Sequence, residues 1–221
     1  MAKYMLFDLD DTLFPSTEFS SLARKNAINA MLEMGLEGDY THLRNRLQQI
    51  IEEKSSNYGK HFDELCAQLK VQDSARYVAA AVAAYHDTKT SIQPFPRVPF
   101  TLMKLKEAGY KLYIATNGNS VKQWDKLIRL GIAVYFDGVF VSQDLGTDKS
   151  EAFFRKVLAI LGAEASECIM VGDREDTDIL PAQAVGLATV RILRGRNGDA
   201  ASRASFTINN VEELLDILQR L

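Results

Sequence analysis

Three aspartates within four positions follow a short apolar segment near the start of the chain. The segment reads MLFDLDDTLFP over residues 5–15, and its acids are Asp8, Asp10 and Asp11. Carboxylates held this close together repel one another, and burial raises the free energy of keeping them ionised. A divalent cation such as Mg²⁺ offsets that repulsion, because it takes one or two carboxylates and leaves positions for water and substrate phosphate. The stretch therefore predicts a Mg²⁺ site.

The spacing of these aspartates also predicts where their side chains point. Side chains alternate along a strand, so Asp8 and Asp10 face the same side and Asp11 faces away. One carboxylate can then be a metal-bound nucleophile while the other stays free for proton transfer. Taken alone, DLDDT is also compatible with an acidic turn after a strand.

Polar residues follow three further apolar segments of the chain. In chain order they are Thr116 and Asn117, Lys149 within GTDKS, and Asp173 with Asp178 within GDREDTDI. In open α/β sheets, ligands bind outside the carboxyl ends of the strands, so these groups are expected to meet the N-terminal aspartates at one edge. Each alone has a plainer explanation as a turn, a helix start or a surface lysine. Their occurrence together and in this order favours a functional site.

The apolar segments themselves predict strands that are buried on both faces. They are YMLFDL, YKLYIATN, FDGVFVSQ, ECIMVGD and GLATVRIL, with FTINN as a weaker sixth. Amphipathic stretches of helical period lie between them. The alternation predicts an α/β fold, with a doubly wound, mainly parallel sheet and a Rossmann-like core.

One long block interrupts this alternation. Residues 16–94 contain four stretches of helical period and no convincing strand, and proline stands near both ends, at Pro15 and Pro94. We therefore expect a helical domain over residues 16–94, inserted after the first strand. The α/β core is then expected to comprise residues 1–15 and 95–221.

Composition restricts the partners and the compartment. The chain has 221 residues and a formal net charge of -3, with a pI of about 5.7, which argues against nucleic acid or an anionic membrane as the main partner. Cys66 and Cys168 lie in no paired metal or redox spacing, as expected in a reducing compartment. With no signal-peptide pattern and no run of about 20 apolar residues, a cytoplasmic protein is expected.

On these motifs the chain resembles the haloacid dehalogenase-like (HAD) superfamily of phosphatases, which form an aspartyl-phosphate. DLDDTL is similar to the family's first motif, YIATNG to its second, the lysine of GTDKS to its third and GDREDTD to its fourth. The combination of the first and fourth motifs is the specific part. The resemblance covers nearly the whole chain, with the helical insert as a cap domain between the first two motifs.

The resemblance implies a Mg²⁺-dependent phosphatase that hydrolyses a small phosphorylated metabolite. Asp8 is the implied nucleophile at phosphorus, and Asp10 is the implied general acid and base. The implied Mg²⁺ ligands are the carboxylate of Asp8, the backbone carbonyl of Asp10 and the carboxylate of Asp173.

The resemblance also implies which groups hold the phosphoryl oxygens. These are Thr116, Lys149 and backbone N–H groups near Asp11 and Asn117. Asp178 is implied to orient Lys149 or a metal-bound water.

Two other functions stay open. A phosphomutase of the same superfamily would retain the phosphoryl group and return it to a sugar, whereas a phospho-ligand-binding protein would show little turnover. The second is supported only by the third motif, where Ser150 follows Lys149 in place of the usual proline. We expect Ser150 to cap the following helix. A monomer or a homodimer is expected.

Two expectations concern residues outside these motifs. Trp124 is expected to face the sheet. The arginines of RILRGRNGDAASRA, which are Arg191, Arg194, Arg196 and Arg203, are expected to lie in a solvated loop.

Overall fold

The computed structural model describes residues 3–55, 58–194 and 201–218. The strands are β1 (Tyr4–Phe7), β2 (Lys111–Thr116), β3 (Gly138–Val141), β4 (Cys168–Gly172), β5 (Ala188–Ile192) and β6 (Phe206–Ile208). The helices are α1 (Ser16–Glu33), α2 (Tyr40–Lys54), α3 (His61–Gln68), α4 (Ser74–Lys89), α5 (Val98–Glu107), α6 (Ser120–Arg129), α7 (Ser142–Leu145), α8 (Glu151–Leu161), α9 (Leu180–Ala184) and α10 (Leu214–Ile217). Every predicted strand is present, and the predicted α/β fold is confirmed.

The strands form one parallel sheet in the order β3-β2-β1-β4-β5-β6. The register pairs Phe7 of β1 with Ile114 of β2 and with Val171 of β4. These strands therefore end at the same edge of the sheet. The strand order reverses between β1 and β4, and the crevice outside such a reversal is where open α/β sheets bind ligands.

Buried apolar side chains explain why these short segments form strands. Leu6 and Met170 lie on neighbouring central strands, and Phe153, Phe154 and Val157 of α8 pack in the same apolar cluster. All five are fully buried. Because helices cover the faces of the sheet, the strands read as continuous apolar runs rather than alternating ones.

The chain forms two compact units, one of Met1–Ser16 with Gln93–Leu221 and the other of Thr17–Ile92. The second unit is helical, and its core contains Leu43, Leu47 and Leu65. A unit with its own apolar core has the organisation of a domain.

One π-helical turn, Glu175–Ile179, precedes α9. The N–H groups of Asp178 and Ile179 donate to the same carbonyl oxygen of Arg174, at 3.0 and 3.2 Å. This shared acceptor widens the turn. Such π-turns occur frequently at functional sites, and this one carries Asp178.

Two single-residue expectations are wrong. Trp124 is 44% exposed, because Gln123 and Leu127 occupy the buried side of α6 instead. Arg191 is 1% exposed within β5 rather than in a solvated loop. Arg196 lies outside the described residues.

Two features of the structure concern the compartment expected from the sequence, namely whether any helix could cross a membrane and the state of the cysteines. Across residues 3–55, 58–194 and 201–218, no helix is long and apolar enough to cross a membrane. Cys66 and Cys168 are buried free thiols.

Candidate active site

The turn after β1 presents the N-terminal aspartates at the edge of the sheet. The backbone N–H of Asp8 donates to the carbonyl of Val171 at 2.9 Å, which extends the pairing of β1 with β4 by one residue. The N–H of Asp11 then donates to the carbonyl of Phe14 at 2.9 Å and closes a tight turn. Asp11 has a φ of 57°, in the left-handed region that aspartate tolerates better than most residues.

Three buried carboxylates meet at this edge. Oxygens of Asp8, Asp173 and Asp178 all lie within 4.8 Å of one another. The Nζ of Lys149 reaches into this group and lies 2.6 Å from Oδ1 of Asp8 and 2.6 Å from Oδ1 of Asp178. The structure therefore brings together residues that sequence analysis selected from the first, third and fourth motifs.

Two acids of this cluster, Asp8 and Asp173, have raised pKa values. Burial raises the pKa of Asp8 well above its usual range, and the Lys149 ammonium offsets this only in part, while Asp178 and Asp173 add to it. Burial, followed by the charges of Asp178 and Asp11, raises the pKa of Asp173 to about 7. Burial alone would lower the pKa of Lys149, but the charges of Asp178 and Asp8 outweigh it and raise that pKa.

The donor set fits the predicted Mg²⁺. Asp8, Asp173 and Asp178 supply carboxylate oxygens, which Mg²⁺ prefers. One ammonium, that of Lys149, faces three carboxylates, so the ionised cluster keeps an excess of negative charge that a divalent cation would balance. This group of three does not include the carboxylate of Asp10.

Two residues that sequence analysis missed hold Asp173 in place. The Thr12 hydroxyl is fully buried and lies 3.3 Å from Oδ1 of Asp173, to which it donates. The Nε of Arg191 donates to the backbone carbonyl of Asp173 at 3.0 Å, and its Nη1 lies 3.1 Å from Oε2 of Glu175. An arginine inside the apolar segment ATVRI was the available signal for Arg191, because such strands seldom contain a charge.

Asn117 connects the second motif to the third. Its Oδ1 accepts a hydrogen bond from the backbone N–H of Lys149 at 2.8 Å. Its backbone carbonyl accepts from the Nε2 of Gln123 at 2.6 Å and from the hydroxyl of Thr116 at 3.3 Å. The side chain of Asn117 thus positions the segment that carries Lys149. The predicted phosphate-binding roles of Thr116 and of the N–H groups near Asn117 stay predictions.

Asp10 makes a separate contact with a residue to which sequence analysis gave no role. The Nζ of Lys126 lies 2.6 Å from Oδ1 and 2.7 Å from Oδ2 of Asp10. Lys126 belongs to α6, and the contact joins positions that are 116 residues apart. No local pattern in the sequence could have indicated this pair.

Ser150 lies at the N-terminus of α8 but does not cap it as expected. Its side chain makes no capping hydrogen bond, and its hydroxyl lies 3.4 Å from that of Thr147. The expectation that Ser150 caps this helix is therefore wrong. Lys149 nevertheless reaches Asp8 and Asp178.

The family of haloacid dehalogenase-like hydrolases matches residues 5–192. This span contains all four motifs and most of the chain, so the chain belongs to the haloacid dehalogenase-like hydrolase family. The resemblance drawn from the motifs is thereby confirmed.

Its relatives include curated phosphatases. The chain is 43% identical to the glyceraldehyde 3-phosphate phosphatase of Methanocaldococcus jannaschii, with 100% of this chain and 99% of that protein covered. It is 44% identical to the glyceraldehyde 3-phosphate phosphatase of Methanopyrus kandleri, with the same coverage. Among solved structures, the HAD phosphatase of Thermococcus onnurineus has a TM-score of 0.72 and 26% identity, with 98% of this chain and 97% of that chain covered. The prediction of a phosphatase of this family is confirmed.

Proposed function

We propose that the chain is a Mg²⁺-dependent phosphatase that hydrolyses a small phosphomonoester through an aspartyl-phosphate on Asp8. The observation that carries this proposal is the position of the Asp8 carboxylate. It lies at the carboxyl end of the central strand β1, 2.6 Å from the Nζ of Lys149, and beside two further buried acids. A carboxylate held there can attack phosphorus, while a fixed cation stabilises charge on the phosphoryl group.

The first step transfers the phosphoryl group to the protein. An oxygen of Asp8 forms a bond to phosphorus, and the bond from phosphorus to the ester oxygen breaks. A protonated Asp10 donates its proton to the departing oxygen, so the leaving group departs as a neutral alcohol. Thr116, Lys149 and the N–H groups near Asp11 and Asn117 hold the phosphoryl oxygens in this proposal.

The second step hydrolyses the aspartyl-phosphate. Asp10, now ionised, removes a proton from water as the water oxygen attacks phosphorus. The bond from phosphorus to the Asp8 oxygen breaks, which releases inorganic phosphate and restores both aspartates. Asp8, Asp173 and the backbone carbonyl of Asp10 would hold Mg²⁺, and Asp178 lies close enough to Asp8 and Asp173 to share in this. The bound ion supplies positive charge that offsets repulsion between phosphate and carboxylate.

The two curated relatives support glyceraldehyde 3-phosphate as the first substrate to test, since both are named for it. In the same proposal, residues 16–94 act as the cap domain, and residues 1–15 and 95–221 form the catalytic core. A cytoplasmic location, and a monomer or homodimer, complete the proposal.

The test measures phosphate release from a panel of phosphomonoesters, including glyceraldehyde 3-phosphate and 4-nitrophenyl phosphate. The panel is run with Mg²⁺ and with a chelator, on the wild type and on Asp8→Asn. We expect release that requires both the metal and Asp8. Asp216→Asn serves as the control, because Asp216 is exposed on α10. Full turnover by Asp8→Asn would contradict the proposal.

Phosphate release, together with binding of a phosphate analogue, also distinguishes a phosphatase from a phosphomutase and from a phospho-ligand-binding protein. Slow release that a sugar bisphosphate accelerates would indicate a phosphomutase. Tight binding of a phosphate analogue without release from any member of the panel would indicate a phospho-ligand-binding protein.

A further inference from the structure

Lys126 and Asp10 form an ion pair with two contacts at the edge of the site. The Nζ of Lys126 is within hydrogen-bond distance of both carboxylate oxygens, at 2.6 and 2.7 Å. We propose that Lys126 is a positioning residue, which holds the carboxyl group of Asp10 in the direction needed for proton transfer to the leaving oxygen. This inference rests on the proposed function, because that function assigns the proton transfer to Asp10.

The start of α6 places Lys126 where it can make this contact. Asn119 caps the helix, since its Oδ1 accepts from the N–H of Lys122 at 3.2 Å. Gln123, which is buried, donates to the carbonyl of Asn117 at 2.6 Å and anchors the first turn beside the end of β2. Lys126 lies three positions after Gln123, and residues at this spacing share one face of a helix. The lysine is therefore on the anchored face of α6.

The turn after β1 fixes the other partner. Asp10 and Phe14 form an isolated parallel bridge, and the N–H of Asp11 donates to the carbonyl of Phe14 at 2.9 Å. The Nζ of Lys126 lies 5.8 Å from the centre of the Phe14 ring, so the lysine lies close to this turn. The backbone around Asp10 and the helix that carries Lys126 are thus both held by hydrogen bonds, and the ion pair joins them.

The exposure of the pair favours a role in positioning over one in stability. The Lys126 side chain is 21% exposed and that of Asp10 is 37% exposed. Ion pairs with this much solvent access contribute little to folding, whereas a small displacement of a reacting group can lower a rate about a hundredfold. Asp10 can also keep the contact while it carries a proton, because one oxygen then accepts from Lys126 as the other donates to the leaving group.

The test uses the leaving group as the readout. A carboxyl group that donates a proton matters most for a poor leaving group such as an alkoxide, and least for 4-nitrophenolate, which departs without protonation. We expect Lys126→Met to lower kcat/KM for glyceraldehyde 3-phosphate about tenfold to a hundredfold. The loss for 4-nitrophenyl phosphate is expected to be under about threefold. Lys126→Arg should recover most of the loss, because arginine can also contact both oxygens.

Three controls accompany this comparison. Lys122→Met removes an exposed lysine from the same helix and should leave both substrates unaffected. In an Asp10→Asn background, Lys126→Met should add no further loss for either substrate. Calorimetry should show unchanged Mg²⁺ binding by Lys126→Met. If the Met variant does not fold, Lys126→Gln serves in its place.

Several outcomes would overturn the inference. Equal losses for the two substrates, a loss that persists in the Asp10→Asn background, or wild-type rates for Lys126→Met would each contradict a positioning role. Turnover by Asp8→Asn would remove the proposed function and this inference together. An inactive Asp8→Asn variant beside a Lys126→Met variant that does not distinguish the leaving groups would remove only the inference.

Discussion

The ammonium of Lys149 lies 2.6 Å from Oδ1 of Asp178, and each of the two side chains is 1% exposed. The same ammonium contacts Asp8 at 2.6 Å. Lys149 is therefore shared between the acid at the end of β1 and an acid of the π-helical turn. A buried charge that loses its partner is strongly destabilising, because nothing else compensates it. This lysine thus stabilises the acidic cluster, in addition to its proposed contact with phosphate.

Because Lys149 contacts both acids, we expect Lys149→Met and Asp178→Asn to lower the free energy of unfolding by different amounts. Without metal, Lys149→Met should lower the free energy of unfolding by about 3–5 kcal/mol, because three carboxylates remain with no cation among them. Asp178→Asn should lower the free energy of unfolding by less, because Lys149 keeps its contact with Asp8 and one carboxylate that repels the others is removed. Urea denaturation with a chelator measures both values. A larger loss for Asp178→Asn would contradict this account.

Gly172 predicts a steric effect on the same cluster. A Cβ added at this position would overlap the carboxylate of Asp178 and lie 2.7 Å from its Cβ. Gly172→Ala should therefore displace Asp178, with a loss of about 1–3 kcal/mol in the free energy of unfolding and weaker Mg²⁺ binding by calorimetry. Gly59→Ala is the matched control, because its Cβ would meet nothing within 4 Å. Equal Mg²⁺ affinity in the two variants would argue against a role for Asp178 near the metal.

The raised pKa of Asp173 predicts how the metal-free protein responds to pH. Burial and the charges of Asp178 and Asp11 raise this pKa from 3.8 to about 7. Between pH 3.8 and about pH 7, the folded state holds a proton on Asp173 that the unfolded state has released. The free energy of unfolding therefore falls as the pH rises through this range. One such proton gives a slope of about 1.4 kcal/mol per pH unit.

Saturating Mg²⁺ should reverse this trend, because the ion binds the deprotonated carboxylates and stabilises more as the pH rises. Denaturation curves with chelator and with Mg²⁺, taken across the same pH window, measure the difference. Asp173→Asn should make the metal-free curve less steep by the contribution of one proton, while Asp8, whose pKa is also raised, keeps its own contribution. An unchanged slope in that variant would show that Asp173 does not contribute to it.

Arg191 predicts an effect on metal binding through the backbone. It donates to the carbonyl of Asp173 and pairs with Glu175. Arg191→Met should raise the Kd for Mg²⁺ about tenfold to a hundredfold, as is typical when a group that orients a ligand is removed. Arg194→Met is the control, because Arg194 donates to the carbonyl of Asn209 instead. Calorimetry on folded protein gives both values, and equal Kd values would contradict the prediction.

Two helix starts predict a contrast in stability. Asn119 makes a capping hydrogen bond at α6, whereas Ser150 makes none at α8. Asn119→Ala should therefore lower the free energy of unfolding by about 1 kcal/mol, and Ser150→Ala should change it by less than about 0.5 kcal/mol. Thermal or urea denaturation distinguishes these values. A larger loss for Ser150→Ala would show that its contact with the Thr147 hydroxyl matters.

Much of the fold could be predicted because its elements depend on local pattern. Short apolar runs mark each strand of the described residues. Asp8 and Asp173 directly follow two of these strands, Lys149 follows the short helix α7 after β3, and the structure brings all three to one edge. Neighbouring parallel strands that are in register end at the same edge of the sheet, so the polar residues that follow them in the sequence lie close together in the structure.

The parts that sequence missed depend on contacts between distant positions. The pairing of Lys126 with Asp10 requires the placement of α6 against the β1 turn, which no local spacing records. The exposure of Trp124 follows from the burial of Gln123 on that helix. At the π-helical turn, the carbonyl of Arg174 accepts hydrogen bonds from two backbone N–H groups, those of Asp178 and Ile179. Arg191 was visible as a charge within a strand but was assigned to a loop.

The strand order also bears on how the protein folds during synthesis. β1 is made first, yet its two neighbours in the sheet are β2, which begins at Lys111, and β4, which begins at Cys168. The helical unit Thr17–Ile92 is contiguous in the chain and needs no later segment. Helical packing of nearby segments is fast, whereas pairing across long sequence separations is slow. On the ribosome, the helical unit can therefore be complete while β1, an apolar strand that leads directly to Asp8, is not yet paired with β2 and β4.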